Sequence, residues 1–225
     1  MTFDPNRRRL LGLTATLPLL GGCTVADVLT PPPPPRLYVL SPAKEFTAGL
    51  PRVDWQLLVE TPLANTGIDT ARIALGETQS RLTYFAGANW VDRAPSMAQL
   101  LLIESFENSN RIVAVGREAT GLRADFILKT DLRDFQAEYN GGTPGESRPV
   151  GRVRMTAKLV RMPRRIIIAS ESFAAQVPAK GAAFTDMIEA MDGALEAVMR
   201  RMVEWTIRQG HANVEADPIP AALDR

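Results

Sequence analysis

Between Ala124 and Tyr139 the apolar residues keep one parity and then change it. Phe126, Leu128, Thr130 and Leu132 share the first parity, and Phe135, Ala137 and Tyr139 share the other. A strand turns its side chains over at every residue, so a parity change inside one strand requires an extra residue. The pattern predicts a β-bulge between Leu132 and Phe135. Val153, Met155, Ala157 and Leu159 then alternate with Arg152, Arg154, Thr156 and Lys158, which is a half-buried strand. Met162-Pro163-Arg164-Arg165 turns the chain back, and Ile166 to Val177 returns with Phe173, Ala175 and Val177 on one face. Shorter runs bounded by breakers predict strands at Leu37–Leu40, Trp55–Glu60 and Ile112–Val115. Ile73–Leu75 and Leu82–Phe85 predict two more, around a polar turn at Glu77 to Ser80.

Two segments carry helical spacing. The first follows Asp92, placed to cap, with Pro95 in the first turn where its missing N–H costs nothing. Met97, Leu100, Leu101, Glu104 and Asn108 mark its face, Ile103 and Phe106 widen it, and Asn108-Ser109-Asn110 stops it. The second runs from about Ala183 to Gln209. Phe184, Met187, Ile188, Met191, Leu195, Val198, Met202 and Trp205 form its stripe, and Gly210 reads as the stop. Such a stripe faces a core, although its methionines would also suit an adaptable groove. Residues 211–225 are polar with two prolines and read as a frayed tail.

The amino terminus follows a different logic. Arg7, Arg8 and Arg9 precede an apolar run from Leu10 to Leu20, then Gly21, Gly22 and Cys23. A basic start, a short apolar run and small residues define a secretory signal. The run is interrupted by Pro18 and is shorter than the roughly 20 apolar residues of a membrane span. Leu20-Gly21-Gly22-Cys23 resembles the bacterial lipobox, in which the cysteine sulfur takes a diacylglycerol and the signal is cut before it. Cys23 is therefore the expected lipidation site, against the plainer reading of a secreted protein with a stray thiol. Asn6 to Leu11 also resembles a twin-arginine export signal, and the general secretion route leads to the same compartment. Pro31 to Pro35 predict a polyproline II spacer of roughly 15 Å.

Composition narrows the function classes. Without residues 1–22 the chain carries 23 basic and 24 acidic side chains, which disfavours nucleic acid as a partner. The only cysteine is Cys23, so once it holds lipid no internal disulfide forms. The only histidine, His211, lies in the polar tail, which removes Ser-His and Cys-His activation and multi-histidine metal sites. The carboxylate pair Glu104 and Glu107 reads as a solvated helix surface rather than an acid–base pair. The Gly-rich stretch Asn140 to Gly145 lacks the Lys-Ser/Thr of a phosphate loop and precedes a strand. The basic side chains of the Val153–Val177 hairpin fit either an anionic-lipid patch or the solvated face of an amphipathic strand. No motif asks for a cofactor or a metal, and no catalytic residue is predicted.

Several segments together resemble the ABC-type transport auxiliary lipoprotein family. They are Arg36 to Pro42, Gln56 to Leu75, Arg81 to Gly116, Leu122 to Tyr139 and Arg152 to Ser170, with Trp90 to Pro95 and Asp131 to Gln136 the most specific. The resemblance implies an α/β fold of α+β sandwich type, a mixed β-sheet with two main helices packed on it, like the amino-terminal domain of TolB. It implies a signal peptide at 1–22, a lipidated tether at 23–35, the auxiliary domain at 36–210 and a flexible tail at 211–225. It further implies a periplasm-facing accessory subunit that works with an MCE-domain protein and its ABC permease and ATPase to move lipids between bacterial membranes. The membrane is reached through the N-terminal anchor, and self-association into a homo-oligomer stays open. A structural envelope lipoprotein that handles no lipid is the alternative, and a hydrolase is the weakest reading. Trp90 and Tyr139 are the candidate partner contacts, with burial in the core the competing reading for both. Thr24, in place of the aspartate of inner-membrane retention, points to the outer membrane.

The anchor is testable. Two or more acyl chains hold a protein stably, at about 0.8 kcal/mol per buried CH₂. Cys23→Ser is expected to leave an unprocessed precursor that takes up no labelled fatty acid such as palmitate; normal labelling of that variant contradicts the lipoprotein assignment.

Overall fold

The computed structural model describes residues 33–78, 80–117, 123–139 and 148–219. Among them, nine strands form one mixed sheet, and two helices pack on one of its faces. Strand β7 (Phe126–Glu138) is the spine. Along one edge it pairs antiparallel with β8 (Val150–Arg161) over its whole length, and β8 pairs antiparallel with β9 (Ile166–Pro178). Along the other edge β7 meets three parallel strands in series: β2 (Val53–Val59), then β3 (Leu63–Ala64), then β4 (Arg72–Thr78). The sheet therefore forks. One wing continues from β2 to β6 (Ile112–Gly116), and the other from β4 through β5 (Arg81–Trp90) to β1 (Arg36–Tyr38).

The predicted bulge is present. Leu132 pairs with Met155 but Asp134 pairs with Arg154, so Arg133 is the extra residue. Phe126, Leu128, Leu132, Phe135 and Ala137 are consequently all buried on the helix-bearing face. The alternation on β8 holds as well, with Val153, Met155, Ala157 and Leu159 fully buried. The turn between β4 and β5 is tighter than predicted. Thr83 donates to Glu77, and Arg81 pairs with Glu77 at 3.5 Å, so polar side chains that read as a turn stay in the ladder.

Helix α1 (Ala94–Ser109) buries Met97, Leu101 and Phe106 as predicted, but its face is rotated from the predicted one at two positions. Leu100 is 47% exposed and Glu104 is exposed, whereas Ala98, Leu102 and Ser105 are buried. Small residues face inward here because α1 is pinned to the loop 39–52. Ser105 accepts from Ala43 N–H at 2.9 Å, and Asn108 donates to Ala43 C=O at 3.1 Å. Asp92 does not cap the helix; it accepts from the neighbouring N–H of Arg93. A side-chain cap is less needed, since Ala94 N–H reaches Thr70 C=O at 3.0 Å and Pro95 has no N–H. At the far end Asn110 takes the left-handed conformation, φ 51°, and closes the helix.

Helix α2 (Phe184–Ala216) continues past the predicted stop, so 211–216 are helical rather than frayed. Gly210 lies inside it against Trp55, where a Cβ would sit 2.4 Å from the indole ring. Glycine is required for close approach, not for termination. Gly151 on β8 plays the same part at the other end, where a Cβ would meet the α2 backbone at Ala190 at 2.4 Å. The loop 39–52 is also fastened to α2: Asp192 accepts from Ser41 N–H at 2.6 Å, and Glu204 accepts from Thr47 N–H at 2.7 Å.

Overpacking a tight contact costs about 1–3 kcal/mol. Gly151→Ala and Gly210→Ala are each expected to lower stability by that amount in urea unfolding. Gly193→Ala, where the nearest side-chain atom is 3.7 Å from the new Cβ, is expected to raise it by up to about 1 kcal/mol.

Candidate functional site

The face of the sheet turned away from the helices is dressed with paired charges. Lys129 meets Glu60 at 2.8 Å and Arg133 meets Asp131 at 2.9 Å. Asp134 accepts from Arg152 Nε at 3.0 Å and Arg154 Nε at 2.8 Å. Glu138 takes a second contact from Arg152 at 3.4 Å. Burial works against the Arg152 charge, but the hydrogen bond to Asp134 and the charges of Glu138 and Asp134 outweigh it and hold the guanidinium above its ordinary value. For Arg152 and Arg154, then, the solvated-face reading of the basic hairpin is the right one.

At one end of this face the charges stop. Leu58, Ile127 and Val160 are in register across β2, β7 and β8 and form a second, small apolar cluster, flanked by Ala124 and Met162. The β8–β9 turn and residues 217–219, which follow α2, wall a cleft above it of ≈ 690 Å³. That is within the range of sites for small ligands, about 300–1,000 Å³. Its floor and sides are Leu58, Ile127, Met162, Pro163, Ile166 and Ile219.

Five charged groups join this lining: Arg123, Asp125, Arg161, Arg164 and Asp217. Three are engaged. Arg161 donates to Asn213 Oδ1 and to Asp217 C=O, both at 2.6 Å, and pairs with the Asp217 carboxylate at 3.4 Å. Asp125 accepts from Gln56 N–H at 3.0 Å, while its backbone C=O accepts from Met162 N–H at 2.8 Å, tying the turn to the start of β7. Arg123 and Arg164 are exposed and make no hydrogen bond or ion pair with a described residue. Beside the cleft, Ile166 and Ile167 are 52% and 56% exposed.

A second hollow of ≈ 490 Å³ lies against Trp55, Val113, His211 and Glu215. His211 sits on α2, 3.4 Å from Glu215 one turn on. Neither hollow has a Ser, Thr or Cys among its lining residues, and no group of three or more His, Cys, Asp or Glu gathers among the described residues. The cleft can hold an apolar group beside an anion; nothing in it is arranged to activate a nucleophile.

The residues singled out in the sequence fall elsewhere. Leu20, Gly21, Gly22 and Cys23 lie outside the described residues, as does the stretch Asn140 to Gly145. Glu104 and Glu107 are exposed on α1. Trp90 is 1% exposed, its ring 5.5 Å from Phe135, so the partner-contact reading is corrected: it is a core residue at the junction of β5 and the spine. Tyr139 is half-buried against the core. The cleft itself went unpredicted, although a signal was present. Leu57-Leu58, Phe126-Ile127-Leu128 and Leu159-Val160 are apolar at both parities, which marks a sheet covered on both faces.

Residues 38–203 match the family described as the ABC-type transport auxiliary lipoprotein component. The chain belongs to that family. Protein XCC0632 from Xanthomonas campestris, a crystal structure, is 29% identical and superposes with a TM-score of 0.74 over 80% of this chain and 99% of that one. A further solved structure, described as an uncharacterized protein, is 11% identical with a TM-score of 0.54 and shares the fold alone. Uncharacterized protein bll6063 of Bradyrhizobium diazoefficiens is 26% identical over 208 residues, 90% of this chain but 51% of that protein. The chain thus spans about half the length of the curated relative it matches. The family is one of ABC-type transport auxiliary lipoproteins, and the chain shares the α+β fold of the Xanthomonas campestris structure. None of its helices, among the described residues, is long and apolar enough to cross a membrane.

Proposed function

We propose that the chain is a periplasm-facing, lipid-anchored accessory subunit of an ABC transporter that works with an MCE-domain protein to move lipids between the two bacterial membranes. The family match, which spans most of the folded domain, carries this reading. The lipobox at Cys23 and the proline spacer support an anchor that holds the domain off the outer membrane. The lining of the two hollows, without a hydroxyl or thiol nucleophile, supports docking over turnover.

A docking surface needs exposed apolar side chains near a free edge. Strand β1 at the end of one wing and the residue after it provide them: Leu37 and Val39 are 64% and 63% exposed, and Val91 is 51% exposed. Val91 N–H donates to Tyr38 C=O at 2.9 Å, which joins the two segments that carry these side chains. These residues replace Trp90 as the proposed contact for the MCE partner.

Extraction of the native, anchored protein in mild detergent is expected to bring down an MCE-domain protein together with its permease and ATPase. Leu37→Asp combined with Val39→Asp is expected to reduce that recovery by about tenfold, the loss of a contact hot spot, without changing the unfolding midpoint. Recovery of the chain without any such partner, or lipid turnover by the purified protein, contradicts the reading.

A further inference from the structure

We infer that the cleft at the apolar end of the open face binds one anionic amphiphile, a single acyl chain carrying an oxyanion headgroup. The chain lies over Leu58, Ile127 and Met162, and the headgroup lies between Arg123 and Arg164.

The floor argues for the tail. Along β7 and β8 the helix-free face carries ion pairs, whereas here Leu58, Ile127 and Val160 form an apolar floor, 9%, 8% and 4% exposed. Half-exposed Ile166 at the rim extends the apolar surface outward. An apolar chain seated in the cleft covers the half-exposed Ile166 together with Met162, Pro163 and Ile219, over a floor that water barely reaches. A volume of ≈ 690 Å³ suits one small amphiphile and is too small for a folded partner.

The rim argues for the headgroup. Asp217 is taken by Arg161, and Asp125 is taken by the β2 backbone. Among the described residues, Arg123 and Arg164 are the cations of the lining without a partner, and they come from different segments that meet at the cleft. Guanidinium groups bind carboxylate and phosphate oxygens in forked geometry, so two of them lining one apolar slot select an anion joined to a tail. A neutral amphiphile gains only the floor, and a free oxyanion only the rim.

This ligand class deepens the lipid-transport proposal and rests on it for its biological meaning; the binding itself is measured on the chain alone. The full chain carrying Cys23→Ser, which has no lipid of its own, is titrated calorimetrically with dodecyl phosphate below its micelle concentration. One-to-one saturable binding is expected, with dodecyl maltoside at least about tenfold weaker and inorganic phosphate giving no saturation. Arg123→Gln with Arg164→Gln is expected to weaken dodecyl phosphate by about tenfold or more and leave dodecyl maltoside unchanged. Ile166→Ser is expected to weaken both detergents. No saturable binding of dodecyl phosphate overturns the inference; so does binding indifferent to the arginine pair, or inorganic phosphate binding as tightly. Failure here with an MCE protein still co-purifying leaves the transport proposal standing. Binding here without any such partner refutes that proposal and keeps the ligand site.

Discussion

One additional residue in the spine strand sets the rest of the architecture. With Arg133 outside the ladder, both halves of β7 turn the same face toward the helices, so Phe126, Leu128 and Leu132 share a core with Phe135 and Ala137. Without the bulge, regular pleating would put Phe135 and Ala137 in the position of Gln136 and Glu138, among the charges of the open face. A bulge also bends its strand and increases the local twist. That accords with a strand whose second edge serves β2, β3 and β4 in turn instead of one long partner.

A sheet with one apolar face needs a cover, and here the cover is drawn in very close. The α2 backbone approaches β8 at Gly151, and Gly210 lets the Trp55 ring come close to the same helix. The loop 39–52 then closes over both helices through Ser105, Asn108, Asp192 and Glu204. With both helices on that face, the opposite face depends on water and on ion pairs. Exposed pairs of that kind contribute little stability, typically below about 1 kcal/mol each. They keep the face soluble and leave its apolar end as the exception that calls for a ligand.

What could be read in the sequence follows from how local each signal is. The bulge was legible because parity is written in consecutive residues and both halves of β7 are core. On α1 the buried Met97, Leu101 and Phe106 are legible, whereas Ala98 and Ser105 are too small to read as core and the exposed Leu100 reads as core. Gly210 reads alike as a helix stop or as a close approach until Trp55, from a distant strand, is known to lie against it. The cleft draws on β2, β7, the β8–β9 turn and the segment after α2, so no single stretch announces it. His211 reads as part of a polar tail because the residues around it carry no apolar stripe, yet it belongs to the long helix.

The helix-free face carries one proposed ligand site, at the end where its ion pairs give way to Leu58, Ile127 and Val160. Methyl NMR of the Cys23→Ser chain during addition of dodecyl phosphate tests that location directly. Shifts are predicted to gather on the methyls of Leu58, Ile127, Met162, Ile166 and Ile219, with those of Leu37, Val39 and Val91 unmoved. Shifts concentrated on the β1 corner, or spread evenly over the surface, would contradict it.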